Sequence, residues 1–123
     1  LLLEDVAEES DLQHSFKKHE RIVDRSDFQQ LFQKGQLFTG AVVLISWRKT
    51  SAPQVRLGIT VTKKFGKAYL RNRFKRLVRE AFRLTPKPSM GLDMNVRPKS
   101  GVDQHTVALI AQDLTLFFNE YIK

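Results

Sequence analysis

The sequence predicts a single mixed α/β domain, and three observations carry that expectation. Apolar residues alternate with a period of two over 55–62, change to a helical period of about 3.6 after Gly66, and return as a short apolar stretch at 92–97. A strand, a helix and a strand therefore follow one another. A chain of 123 residues, 41% hydrophobic and 28% charged, suits one ordinary core and argues against a disordered or collagen-like chain. No internal repeat divides it, and no linker is long enough to separate two domains.

The elements follow in order. Glu4, Asp5, Glu8, Glu9 and Asp11 make an acidic head with no base before His14, so 1–14 is expected to be disordered and 15–123 to form the domain. The sharper alternative is an arm that competes with a polyanion for basic surface. Ser26 precedes Phe28, Leu31 and Phe32 on one helical face, with Gln29 three residues on, which reads as a capping box. Gly35 stands where a left-handed cap is expected, giving a short helix over 25–34. The run LFTGAVVLISW at 37–47 is rich in branched and aromatic residues and reads as strand, in two pieces if Gly40 breaks it. Residues 48–54 hold Ser51, Ala52 and Pro53 and form a turn. Val55, Leu57, Ile59 and Val61 then give one face of the next strand.

From Lys67 to Leu84 the sequence predicts a helix about 27 Å long. Leu70, Phe74, Leu77, Val78, Ala81 and Phe82 fall within about 120° of its wheel, and Asn72, Arg76, Arg79 and Arg83 form a ridge opposite. Thr85 to Ser89, with two prolines, ends it. Leu92 to Arg97 reads as a strand. Asp103 can cap a last helix whose apolar face holds Val107, Ile110, Ala111, Leu114, Phe117 and Tyr121. The expected order is α, β, β, α, β, α, with one strand–helix–strand crossover.

Several function classes fall away. The longest apolar run, Ala41 to Ile45, is far short of the roughly 20 residues of a membrane span. Leu1 to Leu3 are followed by acids rather than by the apolar core of a signal peptide, so none is expected. With no cysteine, the chain has no disulfide, thiolate zinc site or thiol nucleophile, which is compatible with a reducing cytoplasm. His14, His19 and His105 belong to no spaced metal motif and are expected in ordinary surface roles. Asp24 and Asp27 suit the start of a helix, and Glu80 is placed to pair with Arg76 and Arg83. No carboxylate pair or Ser–His–Asp set is evident, so neither a catalytic residue nor a self-sufficient nuclease is expected.

Charge gives the positive indication. The chain has 21 Lys and Arg against 13 Asp and Glu, and its whole excess of +8 lies in KKFGKAYLRNRFKRLVREAFR at 63–83, where nine bases meet Glu80 alone. Solvated helix faces usually mix signs. A dense cationic ridge on rigid backbone suits a polyanion, whose counterions it displaces, and Arg, prevalent here, contacts phosphates and base edges through two donors at once. Gly66 allows close backbone approach, and the helix start adds exposed amides. A basic amphipathic helix can also seek anionic membranes or calmodulin-like partners, but a domain this small needs the apolar arc for its own core. Phe28 and Phe32 suit either core packing or the stacking of unpaired bases.

The same segment closely resembles the signature of the bacterial ribonuclease P protein family. The lysine pair Lys63 and Lys64, then Gly66, Lys67, Ala68, the Arg71–Asn72–Arg73 core, Phe74, Lys75, Arg76, Arg79, Glu80 and Phe82 fall at the family's spacing. FKKHERIVDRSDFQQLFQKG resembles the family's first helix, and VRLGITVTKK its strand entering the signature. The acidic head, with Glu20 and Asp24, departs from the pattern. The resemblance implies a two-layer α/β sandwich like domain 2 of ribosomal protein S5, with a left-handed crossover through the basic helix. Strand twist alone would favour the right-handed form. It implies a protein subunit that binds the catalytic RNA through Lys63, Lys64, Lys67, Arg71, Asn72, Arg73, Lys75, Arg76 and Arg79. It further implies that Phe28, Phe32, Arg56 and Thr60 line a cleft for the single-stranded 5′ leader of precursor tRNA. Catalysis and Mg²⁺ would then belong to the RNA, with no cofactor on the protein alone, no membrane partner and a cytoplasmic location. The alternative is a ribosomal or other structured-RNA-binding protein with no part in tRNA processing.

Overall fold

Apolar residues two apart give three of four strands one hydrophobic face, and in the computed structural model all four strands join in one sheet. The structure describes residues 21–22, 25–102 and 104–121. Helix α1 (Arg25–Lys34) leads into strands β1 (Gln36–Thr39), β2 (Val43–Lys49) and β3 (Val55–Ile59). Helix α2 (Ala68–Leu84), strand β4 (Leu92–Pro98) and helix α3 (Val107–Tyr121) complete the chain. The sheet order is β1-β2-β4-β3, antiparallel except for the parallel pair β3 and β4, which α2 connects. This is an α+β fold with a mixed four-stranded sheet. The acidic head over 1–14 and the cap expected at Asp103 lie outside the described residues.

Register places Ile45, Trp47, Leu57, Met94 and Val96 on the same face. They are buried with Phe74, Val78, Ala81 and Phe82 of α2 and Ile110, Leu114, Phe117 and Phe118 of α3. Each large side chain buried there contributes roughly 1.5–3 kcal/mol. The opposite face of β4 carries Asp93, Asn95 and Arg97 and is crossed by α1: Arg48 of β2 donates to Gln30 of α1 and also to Asp93. Leu31 of α1 packs with Ile22 in a separate apolar cluster, and Ile22 N–H donates to Leu57 C=O at 3.0 Å, extending the β3 edge.

One expectation gains a physical reason and three need correction. The 37–47 run divides into β1 and β2, as Gly40 allowed, but Gly40 is required by close approach: a Cβ there would lie 2.4 Å from a carboxylate oxygen of Asp113. Gly35 is not left-handed; it is small because a Cβ would meet Leu31 O at 2.3 Å and Trp47 O at 2.9 Å. Helix α1 begins at Arg25, so Ser26 sits inside the first turn instead of capping it. The ridge opposite the apolar arc of α2 is not uniformly exposed, since Arg79 is buried.

Candidate nucleic-acid interface

Two surfaces concentrate the polar chemistry, and α2 builds the first. Lys63, Lys64 and Phe65 form a single 3-10 turn, and Gly66 follows at φ 155°, ψ −170°, a conformation open essentially to glycine alone. A Cβ there would also press to 2.9 Å from Leu70 Cδ1. Lys67 is the N-cap of α2, its side chain makes no capping bond, and the first turn holds no acid. The positive end of the helix dipole is therefore reinforced by cations. Lys63, Lys64, Lys67, Asn72, Arg73 and Arg76 are exposed and Arg71 is half-buried, with its Nε unpaired.

Lys75 and Arg79 differ. They are only 1% and 4% exposed, four residues apart on the flank that adjoins the buried stripe, where long basic side chains cover apolar surface with their stems. Neither lacks a partner. The exposed basic surface thus runs along Lys63, Lys64, Lys67, Arg71, Arg73 and Arg76, with Arg83 engaged further on: its Nη2 donates to Glu80 at 2.6 Å. That hydrogen bond lowers the Glu80 carboxyl below its usual range, and the same bond raises Arg83.

The second surface is the polar sheet face beside α1. Arg56 grips Asp93 through Nε and Nη2, both at 2.8 Å, and Arg48 Nη2 approaches the same carboxylate at 3.3 Å. Asp93 is fully buried, whereas the two arginine side chains are about a quarter exposed. Thr60 Oγ1 donates to Asn95 Oδ1 at 3.1 Å, and Asn95 Nδ2 is buried without a partner. Two guanidiniums thus hold one carboxylate, and Arg97 lies half-buried further along the same face. This face keeps net positive charge and holds unused donors.

Comparison with known proteins decides the family. The sequence model of the family described as Ribonuclease P matches residues 16–121. The chain belongs to the ribonuclease P protein family. It is 38% identical over 107 residues to the ribonuclease P protein component of Desulfosudis oleivorans, covering 86% of this chain and 88% of that one. Among solved structures, it resembles the RNase P protein of Thermotoga maritima in complex with 1-(4-fluorophenyl)-2-thiourea. There the TM-score is 0.66 and the identity 32%, over 81% of this chain and 98% of the other. The Staphylococcus aureus RNase P protein matches at TM-score 0.70 and 28% identity, over 85% and 98%.

As a ribonuclease P protein, the chain is part of an endoribonuclease assembly. Arg56 and Thr60 do lie together on the sheet face, but Arg56 is tethered to Asp93 and is not a free cation. Phe28 and Phe32 fall on α1, and their side chains lie outside the described residues, as do His14, His19, Asp24 and the side chain of Asp27. Arg48, Asp93, Asn95 and Arg97 were not singled out from the sequence, although Asp93, Asn95 and Arg97 alternate along LDMNVRP with the period that marks one strand face. His105 departs from its expected surface role: it is 4% exposed, packs edge-on against Phe74 at 5.0 Å and bonds Val42 O through Nε2 at 2.9 Å. A histidine just ahead of an amphipathic helix gave no sign of that burial.

Proposed function

We propose that this chain binds the catalytic RNA of ribonuclease P through the start of α2 and the 5′ leader of precursor tRNA on the sheet face beside α1. The observation that carries the reading is the row of exposed cations from Lys63 to Arg76, fixed by a 3-10 turn and a helix start that contain no acid. Cations held on rigid backbone contact phosphates with little ordering cost, and each contact releases counterions. Lys75 and Arg79 support that surface from its flank.

On the second surface, Asp93 orients Arg56 and Arg48, whose side chains are about a quarter exposed and can reach a phosphate or base of the leader, while Thr60 bonds Asn95 beneath them. Phe28 and Phe32 would supply stacking platforms from α1. Hydrolysis of the leader bond is assigned to the RNA with its Mg²⁺. Asp93 is a poor metal ligand because two guanidiniums already occupy its oxygens. The assembly would work in the cytoplasm, and the β3–α2–β4 connection would be the left-handed crossover of the ribosomal protein S5 type.

The test is leader discrimination. With the chain bound to its cognate RNA, affinity for precursor tRNA should exceed that for mature tRNA, and R56A should shrink the difference. Equal affinities for both tRNAs, with and without the chain, would remove the leader from this reading.

A further inference from the structure

Beside the basic surface of α2, a cavity of about 490 Å³ opens between the start of that helix and the loop joining β4 to α3. Its size is that of small-molecule sites, roughly 300–1,000 Å³. Phe65, Phe74 and His105 meet pairwise at the site, with ring centroids 5.0–5.8 Å apart. Leu70 and Leu77 add apolar wall. Lys64, Arg73 and Lys99 also line it, and no carboxylate among the described residues does. Lys99 is held in place by donating from Nζ to Gly40 O at 3.1 Å.

The histidine is set for recognition. Val42 O can only accept, so His105 Nε2 carries the proton of that 2.9 Å bond. Nδ1 is then the ring nitrogen not engaged by that bond. Apolar and aromatic walls beside three cations match a planar heterocycle attached to phosphate.

We propose that this cavity receives one unstacked nucleobase of the catalytic RNA, with the adjoining phosphate on Lys64, Arg73 and Lys99. The inference rests on the RNA-binding reading above and adds a base-reading site to a surface otherwise suited to phosphates. The cavity lies on the helical side of the sheet, away from the cleft proposed for the leader.

Two measurements on the full chain test it. In the first, amide and imidazole resonances are followed during titration with adenosine 5′-monophosphate and, separately, with ribose 5-phosphate. Saturable shifts at Leu70, Gly101 and His105 with the nucleotide alone are expected; equal responses to both, or to neither, would overturn the proposal. In the second, S100W places a ring from an exposed loop position across the cavity, and L70A trims an exposed wall. Either should weaken binding to the catalytic RNA by about 5- to 150-fold, the effect of removing one stacked base, with the salt slope unchanged because every cation that neutralises a phosphate is still in place. Unchanged RNA affinity in both variants would overturn it, even if the nucleotide binds, since the cavity would then take free nucleotide only. Failure of the unsubstituted chain to bind the RNA would instead sink the underlying RNA-binding reading.

Discussion

Arg56 and Asp93 stand directly opposite one another on the parallel strands β3 and β4, and the guanidinium holds the buried carboxylate through two 2.8 Å hydrogen bonds. The pair stitches the sheet and fixes the orientation of the Arg56 guanidinium in the same geometry. Removing the carboxylate leaves Arg56 and Arg48 without their common anchor. Breaking a buried pair costs about 3–5 kcal/mol; with both arginines partly solvated, D93A should cost about 2–3 kcal/mol. The check is the denaturant midpoint, and a loss below about 1 kcal/mol would mean that solvent replaces the carboxylate fully.

A second carboxylate has a purely structural task. Asp113 of α3, 3% exposed, accepts from the N–H groups of Ala41, Val42 and Val43 at 2.9–3.1 Å, closing the β1–β2 turn onto the helix. D113A would leave buried donors unsatisfied, at about 1–3 kcal/mol for each such group. We expect a loss of at least about 2 kcal/mol. G40A should also destabilise, because its methyl would collide with the same carboxylate.

The basic residues of α2 should separate into two classes. R71A and R73A should leave the fold within about 0.5 kcal/mol of the starting stability. For the catalytic RNA they should lower the slope of log K against log salt by about 0.9 for each duplex phosphate that is no longer neutralised. R79A, at a buried position, should lose about 1–3 kcal/mol of stability. Paired salt titrations and denaturant curves distinguish the classes, and an unchanged slope for R71A and R73A would remove them from the phosphate interface.

Glu80 supplies a pH-dependent check. Its carboxyl is held below the usual range by the hydrogen bond from Arg83, so the pair's contribution is present above the ordinary glutamate range and is lost as pH falls through the lowered value. Both side chains are about two-fifths exposed, which keeps that contribution small. A carboxyl-carbon titration should place Glu80 below a free glutamate, and R83A should return it toward the free value. No change on R83A would show that Arg83 is not the cause.

The fold was legible wherever periodicity was strong. The arc from Phe74 to Phe82 placed α2 within a residue of its observed ends, and the period of two placed the start of β3 at Val55, although the alternation runs on to Thr62, three residues past the strand's end at Ile59. The exposed cations were legible for the same reason, because charge density needs no tertiary partner to be read. Asp93, Asp113 and His105 were not legible. Each is a polar residue buried by partners 37 to 72 residues away, and no local pattern encodes a partner at that distance. Lys75 and Arg79 show the limit of a helical wheel: it orders side chains by angle but does not show how far the covered arc extends.

If the chain assists an RNA that performs the cleavage, the most direct measurement is cleavage of precursor tRNA at low Mg²⁺ by the cognate RNA, with and without the chain, beside a sample of rigorously RNA-free protein. Cleavage by the RNA should rise when the chain is added, and the protein alone should cut nothing. Cleavage by RNA-free protein that is lost on mutating a carboxylate, or no effect of the chain on the RNA's rate, would contradict that division of labour.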